Sequence, residues 1–355
     1  MFRAHLIWAL FAAVLPCVFA QSGAPAAALP KDPRAILALA APLYDFASPD
    51  MKPWHVKAKY QLYDLNGNPT GQGEWEYWWA SPKVHRQSWT RDGLSRGDWF
   101  VADGKQFRKE SGAPLRYFER QVESALLAPL PTEVAQDANR MKLEVKTVAA
   151  GNGSQLTCVS SQLQWMVDGR PTSPDSAVAE DYCFDPPTRA LRMKYSNHLI
   201  TEFNQIARTQ GKYLARQVDI LAGKLKVFSV TVESVGGIDA ADSALTPPAD
   251  AADVSPEDAE QPARGNVTTG SLVKKTTPVY PMVAKMSRIQ GTVILGAVIG
   301  KDGSIHDLEV LASPSPLLAK AAVDAVRTWQ YKPYLLNGVP VEVETIVNVM
   351  FSLGR

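Results

Sequence analysis

Residues 278–293 read PVYPMVAKMSRIQGTV, and this stretch decides how the C-terminal part of the chain is expected to fold. The residue before a proline is kept out of the helical region, so Val279-Tyr280 is predicted to be extended. Pro281 suits the first turn of a helix, which MVAKMSRI then supplies. Gly291 ends that helix. The stretch therefore predicts the start of a folded unit, with a short helix that leads into a strand.

A β-hairpin is predicted directly after this helix. TVILGAVIG at residues 292–300 and SIHDLEVLAS at 304–313 read as strands, and Lys301-Asp302-Gly303 supplies the turn between them. Alternation places one apolar set on a shared face of each strand, allowing for a bulge in the second: Val293, Leu295, Ala297 and Ile299, then Ile305, Leu308 and Val310.

A second helix and a last strand complete this unit. Ser315 is a suitable N-cap with Pro316 in the first turn, and the apolar residues that follow recur at three- and four-residue steps: Leu318, Ala321, Ala322, Ala325, Val326 and Trp329. Lys332-Pro333 stops the helix, Asn337-Gly338 turns the chain, and VEVETIVNVMFSL forms the strand. The result is a small α+β unit of about 90 residues, which is large enough to fold independently.

The N-terminus resembles a secretory signal peptide. Arg3 precedes an apolar run from Leu6 to Val14, and Val18-Phe19-Ala20 has small residues at the two positions that define cleavage. We expect residues 1–20 to be removed and the protein to be exported to the periplasm. The alternative is a retained inner-membrane anchor, although the run is shorter than the roughly 20 residues that cross a bilayer. Residues 21–50 are predicted to be a flexible segment.

Residues 51–235 are predicted to form a mainly β domain. WHVKAKYQLYDL at 54–65 alternates apolar and polar residues, Asn66-Gly67 marks a hairpin turn, and further strand-like runs follow at short spacing. Only residues 116–140 read as helical or irregular. So many consecutive strands favour one curled antiparallel sheet, or half-open barrel.

An acidic linker separates the two domains. Residues 236–268 are rich in Pro and Ala, and residues 236–265 hold seven acidic residues, one arginine and no aromatic residue. Such a composition buries too little apolar surface to offset the entropy of ordering, so we expect a flexible linker. The second domain then occupies residues 269–355.

The ionisable residues and cysteines give no indication of catalysis. After signal removal Cys158 and Cys183 remain, and an even pair in an exported protein predicts a disulfide. The histidines have no metal-ligand spacing, and no hydrolase, zinc or phosphate-loop motif is present. A net charge of +1 without a long basic run argues against nucleic-acid binding. We therefore predict no catalytic residues, no metal, no cofactor and no nucleic-acid partner.

The C-terminal unit resembles the C-terminal domain of the TonB-type energy transducers of Gram-negative bacteria. The residues that carry the resemblance keep their order over 274–353: Pro278-Val279-Tyr280-Pro281, Ala284, Arg288 to Val293, Asp302-Gly303, Ala325 to Pro333, Gly338 to Val341 and Val349-Met350-Phe351. Most of them suit the fold itself, such as the turn residues Asp302-Gly303 and the helix-packing Trp329.

The resemblance implies docking by β-strand addition. In that family the domain adds a short extended segment of an outer-membrane transporter to its sheet edge, beside the last strand. The implied partner-binding residues are Tyr280, Pro281, Val341, Val343, Thr345, Val347, Val349 and Phe351. The partner is then an outer-membrane TonB-dependent transporter or another envelope protein. An exposed edge also favours the alternative of pairing with a second copy as a homodimer.

Residues 50–235 resemble, more weakly, the periplasmic lipoprotein-carrier superfamily. The resemblance is a strand rhythm through Phe184-Asp185-Pro186, Leu191, Phe203 and Ile206, then Val218 and Ile220. In that family a half-open barrel wraps a helix and shelters acyl chains. An apolar-ligand pocket is then expected at Trp75, Tyr77, Trp79, Trp89 and Trp99, with core filling as the alternative use of these rings.

Three functions therefore follow from the sequence. The first is a periplasmic protein that docks an envelope partner through its C-terminal domain. The second is a lipid or lipoprotein carrier that dimerises through that domain. The third is an energy transducer with an uncleaved anchor, although here a folded β domain takes the place of the family's Pro-rich rod.

Overall fold

The structure is a computed structural model. It describes residues 29–353 except 131–140, 151–152, 164, 168–169, 173–178, 255–266, 269–271 and 337. The predicted signal peptide and residues 255–266 of the predicted linker lie outside the described residues.

The N-terminal domain is built on one antiparallel sheet of thirteen strands. In chain order the strands of this part are β1 Trp54–Tyr63, β2 Pro69–Ser81, β3 Val84–Arg91, β4 Leu94–Phe100, β5 Gln106–Gly112, β6 Met141–Ala149, β7 Gln155–Leu163, β8 Trp165–Val167, β9 Arg170–Thr172, β10 Ala179–Phe184, β11 Leu191–Ser196, β12 Leu199–Thr209, β13 Lys212–Ala222, β14 Leu225–Gly237 and β15 Ala252–Val254. The sheet order is β15-β5-β4-β3-β2-β1-β14-β13-β12-β11-β10-β7-β6, while β8 and β9 form a separate hairpin. The strands at the two ends of this order, β15 and β6, do not pair with each other, so the sheet does not close into a barrel. This agrees with the prediction of a curled sheet or half-open barrel.

Alternation along the strands places the core on one face of this sheet. In β1, Val56, Ala58 and Tyr60 are buried while the residues between them are more exposed. The predicted turn at Asn66-Gly67 joins β1 to β2, and Gly67 has a φ of 82°, a backbone angle that glycine adopts without strain.

A helix near the N-terminus lies in this core. Helix α1 spans Pro33–Ala40, Asp32 accepts a hydrogen bond from the backbone N–H of Ala35 at 3.1 Å, and Ile36 and Leu37 are fully buried. A 3₁₀ turn follows at Ala41–Leu43. The prediction of a flexible segment over residues 21–50 is therefore wrong for this part, because its apolar residues are covered by the sheet.

The first part of the predicted linker also packs on the N-terminal domain. Strand β15 pairs with β5, and the ammonium groups of Lys109 and Lys105 lie 2.7 and 3.4 Å from the carboxylates of Asp250 and Asp253. The prediction of flexibility over 236–268 is thus wrong up to residue 254. The acidic side chains that suggested a solvated linker instead pair with one lysine of β5 and one directly before it.

Two short helices cross from the sheet toward the C-terminal domain. They are α2, Tyr117–Arg120, and α3, Val122–Leu127, and both lie within the stretch 116–140 that the sequence predicts to be helical or irregular. Val122 and Leu126 are buried in the core of the N-terminal domain.

The C-terminal domain has the predicted helix, hairpin, helix, strand order. Its elements are β16 Val267–Thr268, β17 Leu272–Lys274, α4 Met282–Met286, β18 Gly291–Ile299, β19 Ile305–Ala312, α5 Pro316–Val326, β20 Gln330–Tyr331, β21 Tyr334–Leu336, β22 Val339–Val341 and β23 Val343–Phe351. The main sheet is β19-β18-β23, with small sheets β16-β21-β22 and β17-β20 beside it. The α+β prediction is confirmed. Helix α4 is shorter than predicted, and Pro281 is its N-cap rather than its first helical residue.

The core of this domain lies between the sheet and its helices. Of the predicted inward set of β18, Val293, Leu295 and Ala297 belong to one core cluster with α5 and the turn after it, and Ile299 is also buried. The members of this cluster on the other side are Leu318, Ala322, Val326 and Trp329. Ser315 caps α5 by accepting a hydrogen bond from the backbone N–H of Leu318 at 3.3 Å, as predicted. The pairing of β18 with β19 shifts at two points, which accounts for the predicted bulge.

Candidate functional site

The outer edge of β23 is the candidate docking site. Strand β23 pairs with β18 along its whole length, from Gly291↔Phe351 to Ile299↔Val343. Within the residues that the structure describes, no strand pairs with the other edge of β23. Its main-chain N–H and C=O groups on that side therefore form no ladder hydrogen bonds with a described strand, which is the arrangement to which another strand can be added.

The side chains predicted to bind the partner mostly hold the fold. Val347, Val349 and Phe351 are buried in the domain core, and Val343 and Thr345 are partly buried. Val341 lies in β22, where it pairs with Tyr334, so the receiving strand begins at Val343 and not at Val341 as predicted.

Tyr280 and Pro281 position the segment before β18. The Tyr280 ring meets the Phe351 ring edge-on with centroids 5.3 Å apart, and its hydroxyl donates to the carbonyl oxygen of Ile289 at 2.5 Å. Pro281 caps α4. These contacts tie the entry of the domain to the end of β23, so both residues lie beside the candidate edge while their contacts are internal.

The face of the C-terminal sheet opposite α5 is covered by the N-terminal domain. Ile294 and Leu311 belong to the same continuous core as the N-terminal sheet, and Ile346 packs against that core. Tyr117 of α2 lies over Gly296, where a Cβ atom would come within 2.7 Å of the tyrosine ring. The two domains therefore meet through an apolar contact in which the Tyr117 ring packs directly on the backbone of Gly296.

Charged contacts surround this apolar contact. Arg116 Nε lies 2.7 Å from a carboxylate oxygen of Glu309 on β19, whose other oxygen accepts from the backbone N–H of Tyr117 at 2.8 Å. Arg120 Nε and Gln121 Nε2 donate to the two carboxylate oxygens of Glu344 on β23, at 2.6 and 2.7 Å. The N-terminal domain thus holds both outer strands of the C-terminal sheet.

A buried carboxylate fixes the helix that makes these contacts. Glu119 of α2 is fully buried and accepts hydrogen bonds from Tyr60 Oη, from Arg91 Nε and from the backbone N–H of Arg116, each at 2.7 Å. Trp89 Nε1 donates to the Glu119 carbonyl oxygen at 2.9 Å. Burial, and then the hydrogen bond to Glu119, raise the pKa of Tyr60 far above its usual value. The hydroxyl therefore stays protonated and keeps donating to the carboxylate.

The five residues of the predicted apolar-ligand pocket are not brought together. Trp75, Tyr77, Trp79 and Trp89 lie in the core of the N-terminal domain. Trp99 points to the opposite face of the sheet, where its Nε1 donates to the carbonyl oxygen of Ala244 at 3.0 Å.

The aromatic core contains polar atoms that the described residues leave unsatisfied. Nε1 of Trp54, Trp75 and Trp79 is buried and has no hydrogen-bond partner among the described residues. A buried N–H group without an acceptor is costly, so these three indole groups could each donate to an acceptor that the described residues do not supply.

Two concavities lie on the N-terminal sheet away from this core. One, of about 430 Å³, is lined among others by Trp78, Arg86 and Trp99, with the Arg86 guanidinium 4.2 Å and 4.8 Å from the two ring centroids. The other, of about 760 Å³, is lined among others by Lys59 and Arg116. Neither concavity includes a residue of β23.

The remaining sequence predictions concern cysteines, metals and membrane spans. Cys158 and Cys183 form a disulfide and are register partners on β7 and β10, so this prediction is confirmed. Among the described residues no cluster of three or more His, Cys, Asp or Glu side chains is placed to hold a metal ion. No helix in the described part of the chain has the length and apolar character to span a membrane.

Comparison with known proteins gives a family match within the C-terminal domain. Residues 276–353 match the family model of the Gram-negative bacterial TonB protein C-terminal. This chain is also 30% identical, over 77 residues, to protein TonB of Vibrio cholerae serotype O1, a match that covers 21% of this chain and 32% of that protein. The chain thus spans about a third of the length of the curated relative it matches.

Several solved structures are similar to a larger part of the chain. A DUF1329 family protein from Desulfovibrio piger has 9% identity over 60% of this chain and 98% of its own, with a TM-score of 0.38. A LolA superfamily protein from Nitrosomonas europaea has 8% identity over 60% and 97%, with a TM-score of 0.32. The Pseudomonas aeruginosa MucA/MucB complex has 12% identity over 71% and 72%, with a TM-score of 0.25. Likenesses this weak carry no functional argument.

Sequence reasoning missed the residues that join the two domains. Arg116, Tyr117 and Arg120 lie in a stretch without clear periodicity, so nothing local indicated a role for them. A signal was present on the other side of the contact. Ile294 and Ile346 add apolar side chains to the second face of their strands, and a sheet that is apolar on both faces is covered on both.

Proposed function

We propose that this protein is a periplasmic docking protein whose TonB C-terminal domain binds an extended segment of an outer-membrane transporter, or of another envelope protein, by β-strand addition. The observation that carries the proposal is the outer edge of β23, which is unpaired in the described part of the chain while its side chains are anchored in the core. Main-chain groups of an ordered strand provide affinity for an added strand, and neighbouring pockets provide selectivity.

The N-terminal domain is proposed to orient this edge. Arg120 and Gln121 hold Glu344 on β23, and Glu119 holds their helix on the N-terminal sheet. The partner segment would therefore meet β23 at a fixed angle to the larger domain. In this function the protein is not a catalyst, and recognition depends on main-chain pairing.

Cross-linking at the two edges of the C-terminal sheet tests the proposal. Thr345→Cys on β23 and Leu308→Cys on β19 place one thiol on each outer strand of the same sheet, both opposite Ala297 of β18. Each variant of the mature chain is mixed with a cysteine-containing peptide from the extended segment of a transporter of the same cell. We expect disulfide capture at Thr345→Cys and little at the matched control Leu308→Cys.

Two further measurements make the outcome decisive. Hydrogen exchange of β23 amides is expected to slow when an unlabelled peptide binds, and a peptide with proline at its central position is expected to have no effect because proline cannot donate. Capture at both edges alike, or peptide-independent cross-linking of two protein chains, would refute docking at β23. The second result would favour the homodimer instead.

The location has its own test. Fractionation and N-terminal sequencing of the mature protein are expected to give a periplasmic chain that starts at Gln21. A chain that retains residues 1–20 in the inner-membrane fraction would instead favour an energy transducer with an uncleaved anchor.

One observation favours a second function, the carriage of an apolar molecule by the N-terminal domain. The unsatisfied indole N–H groups of Trp54, Trp75 and Trp79 would suit a lipid whose ester or carboxylate oxygens accept hydrogen bonds within an apolar core. Titration of the delipidated protein with a fluorescent fatty acid tests this function. Saturable binding that is lost in Trp75→Phe is the expected result, and unsaturable binding would count against carriage.

A further inference from the structure

An exposed apolar surface lies at the entry of the C-terminal domain, on residues that do not belong to β23. Val279, Met282, Val283 and Met286 are 61–82% exposed, and three of them belong to α4. Helix α4 buries only Ala284. Met282 and Met286 are four residues apart and are therefore neighbours on one side of α4. Val283 is rotated about 100° from Met282 around the helix axis, so the exposed apolar side chains of α4 cover an arc of about 100°.

Cationic side chains accompany this apolar surface. Lys274, Lys275, Lys285 and Arg288 are all exposed, and the sequence has no Asp or Glu from residue 261 to residue 301. The ammonium group of Lys285 lies 5.5 Å from the Tyr280 ring centroid, and that of Lys275 lies 5.3 Å from the ring centroid of Trp329. Their stems therefore follow aromatic surface while their charged ends remain in solvent.

From these features we infer that the surface formed by Val279, α4 and the neighbouring cations binds an anionic lipid membrane. Contiguous exposed apolar side chains mark an interaction site, and a stretch of the chain with four exposed cations and no Asp or Glu favours a negatively charged partner. Three of the four cations are lysines, which protein interfaces disfavour and lipid phosphates attract.

The two features act together at a bilayer surface. Short apolar side chains enter the boundary between head groups and acyl chains, and lysines bind the phosphates around them. Neither contribution alone gives stable attachment, since membrane anchoring by weak signals needs two of them. The domain would then rest on a membrane through α4 while the outer edge of β23 stays available for an extended partner.

Co-sedimentation of the mature full-length protein with vesicles tests the inference. Binding is expected on vesicles of phosphatidylcholine mixed with phosphatidylglycerol, and little on pure phosphatidylcholine. The double variant Met282→Ser, Met286→Ser and the double variant Lys274→Gln, Lys275→Gln are each expected to bind the anionic vesicles about tenfold more weakly. Salt is expected to weaken the binding of the wild-type protein and to have less effect on the lysine variant.

Matched control variants distinguish binding through this surface from nonspecific adsorption to vesicles. Met350→Ser removes an equally exposed methionine from β23, and Lys320→Gln removes an exposed lysine from α5; both are expected to leave vesicle binding unchanged. All the substituted side chains are exposed, and thermal unfolding checks that each variant folds. Equal binding by wild type and both double variants, or equal binding to both vesicle types, would overturn the inference. The absence of vesicle binding, together with capture of an acidic peptide at Met286→Cys, would overturn it in favour of a protein partner.

Discussion

The contact between Tyr117 and Gly296 gives the sharpest prediction about how the two domains are joined. Gly296 lies in the middle of β18 on the face that meets the N-terminal domain, and its backbone angle is one that any residue adopts. Replacing it with alanine would place a Cβ atom 2.7 Å from Tyr117 Cδ2, 2.9 Å from Cγ and 3.2 Å from Cβ. All three distances are shorter than an ordinary carbon contact, so the ring or the strand must move.

The expected energy follows from two opposing effects. Overpacking of a well-packed contact costs about 1–3 kcal/mol. Replacing glycine with alanine inside a strand gains about 0.5–1 kcal/mol, because glycine loses more conformational freedom on folding. Gly296→Ala is therefore expected to destabilise the protein, while on a Tyr117→Ala background the same change is expected to stabilise it by about 0.5–1 kcal/mol. The sign reversal corresponds to a coupling energy of about 1–3 kcal/mol in a double-mutant cycle.

Urea unfolding of the full chain gives the stabilities that the double-mutant cycle compares. Hydrogen exchange of the β18 and β23 amides shows where the structure loosens. In Gly296→Ala we expect faster exchange in β18, and normal exchange once Tyr117→Ala is added. Gly236→Ala is the matched control, because a Cβ atom there meets nothing within 4 Å. If Gly296→Ala had the same effect on both backgrounds, the two domains would not be in contact through this pair and the reasoning would be refuted.

Three further predictions concern single features of the fold. Asp302→Asn is expected to lower stability at neutral pH and to have less effect in acid, because the backbone hydrogen bond from Ser304 lowers the pKa of Asp302. The stabilisation by the ionised Asp302 carboxylate is present above the usual carboxylate pKa and is lost as the pH falls through the lowered pKa. Urea unfolding of both proteins across this pH range measures the difference. Asn348→Val is expected to stabilise the protein by about 1 kcal/mol in thermal unfolding, because the buried Oδ1 of Asn348 has no hydrogen-bond partner among the described residues. A loss of stability would show that Oδ1 does accept a hydrogen bond. Cys158→Ser is expected to lower the free energy of unfolding by about 3 kcal/mol, because it opens a loop whose cysteines are 25 residues apart. Cys183→Ser is expected to lower it by the same amount in urea unfolding. Unequal losses of stability would mean that side-chain packing contributes more than the crosslink.

The C-terminal domain could be predicted almost completely because its signals are local. Pro281 and Ser315 begin helices, Asp302 and Gly303 make the turn, and the alternation of β18 places its core residues correctly. The unpaired edge of β23 also follows from the chain order, since a hairpin and one returning strand leave the last strand with one neighbour. What the local pattern misplaced was Val341, because β21 and β22 pair with each other before β23 begins.

The N-terminal domain could be predicted as a curled sheet, but not how its ends pack. Composition alone suggested flexible segments on both sides of the sheet. Asp32 and Pro33 carry the cap and first-turn signals of α1, and these local signals outweigh the Ala- and Pro-rich composition around them. Asp250 and Asp253 illustrate the opposite limit. Their partners Lys109 and Lys105 lie more than 140 residues earlier in the chain, and no local pattern connects them.

The docking edge and the domain contact depend on the same strand, and this links the proposed binding to the N-terminal domain. Glu344 lies on β23, where Arg120 and Gln121 hold its carboxylate, and the free main-chain edge belongs to the residues that follow it. A partner strand that tightens β23 favours the arrangement in which these contacts are made. By thermodynamic reciprocity, the domain contact then favours the partner by the same factor. A folded domain that orders the receiving strand in advance would lower the entropy lost in the proposed docking, and packing on the sheet face does this while leaving the outer edge of β23 unpaired.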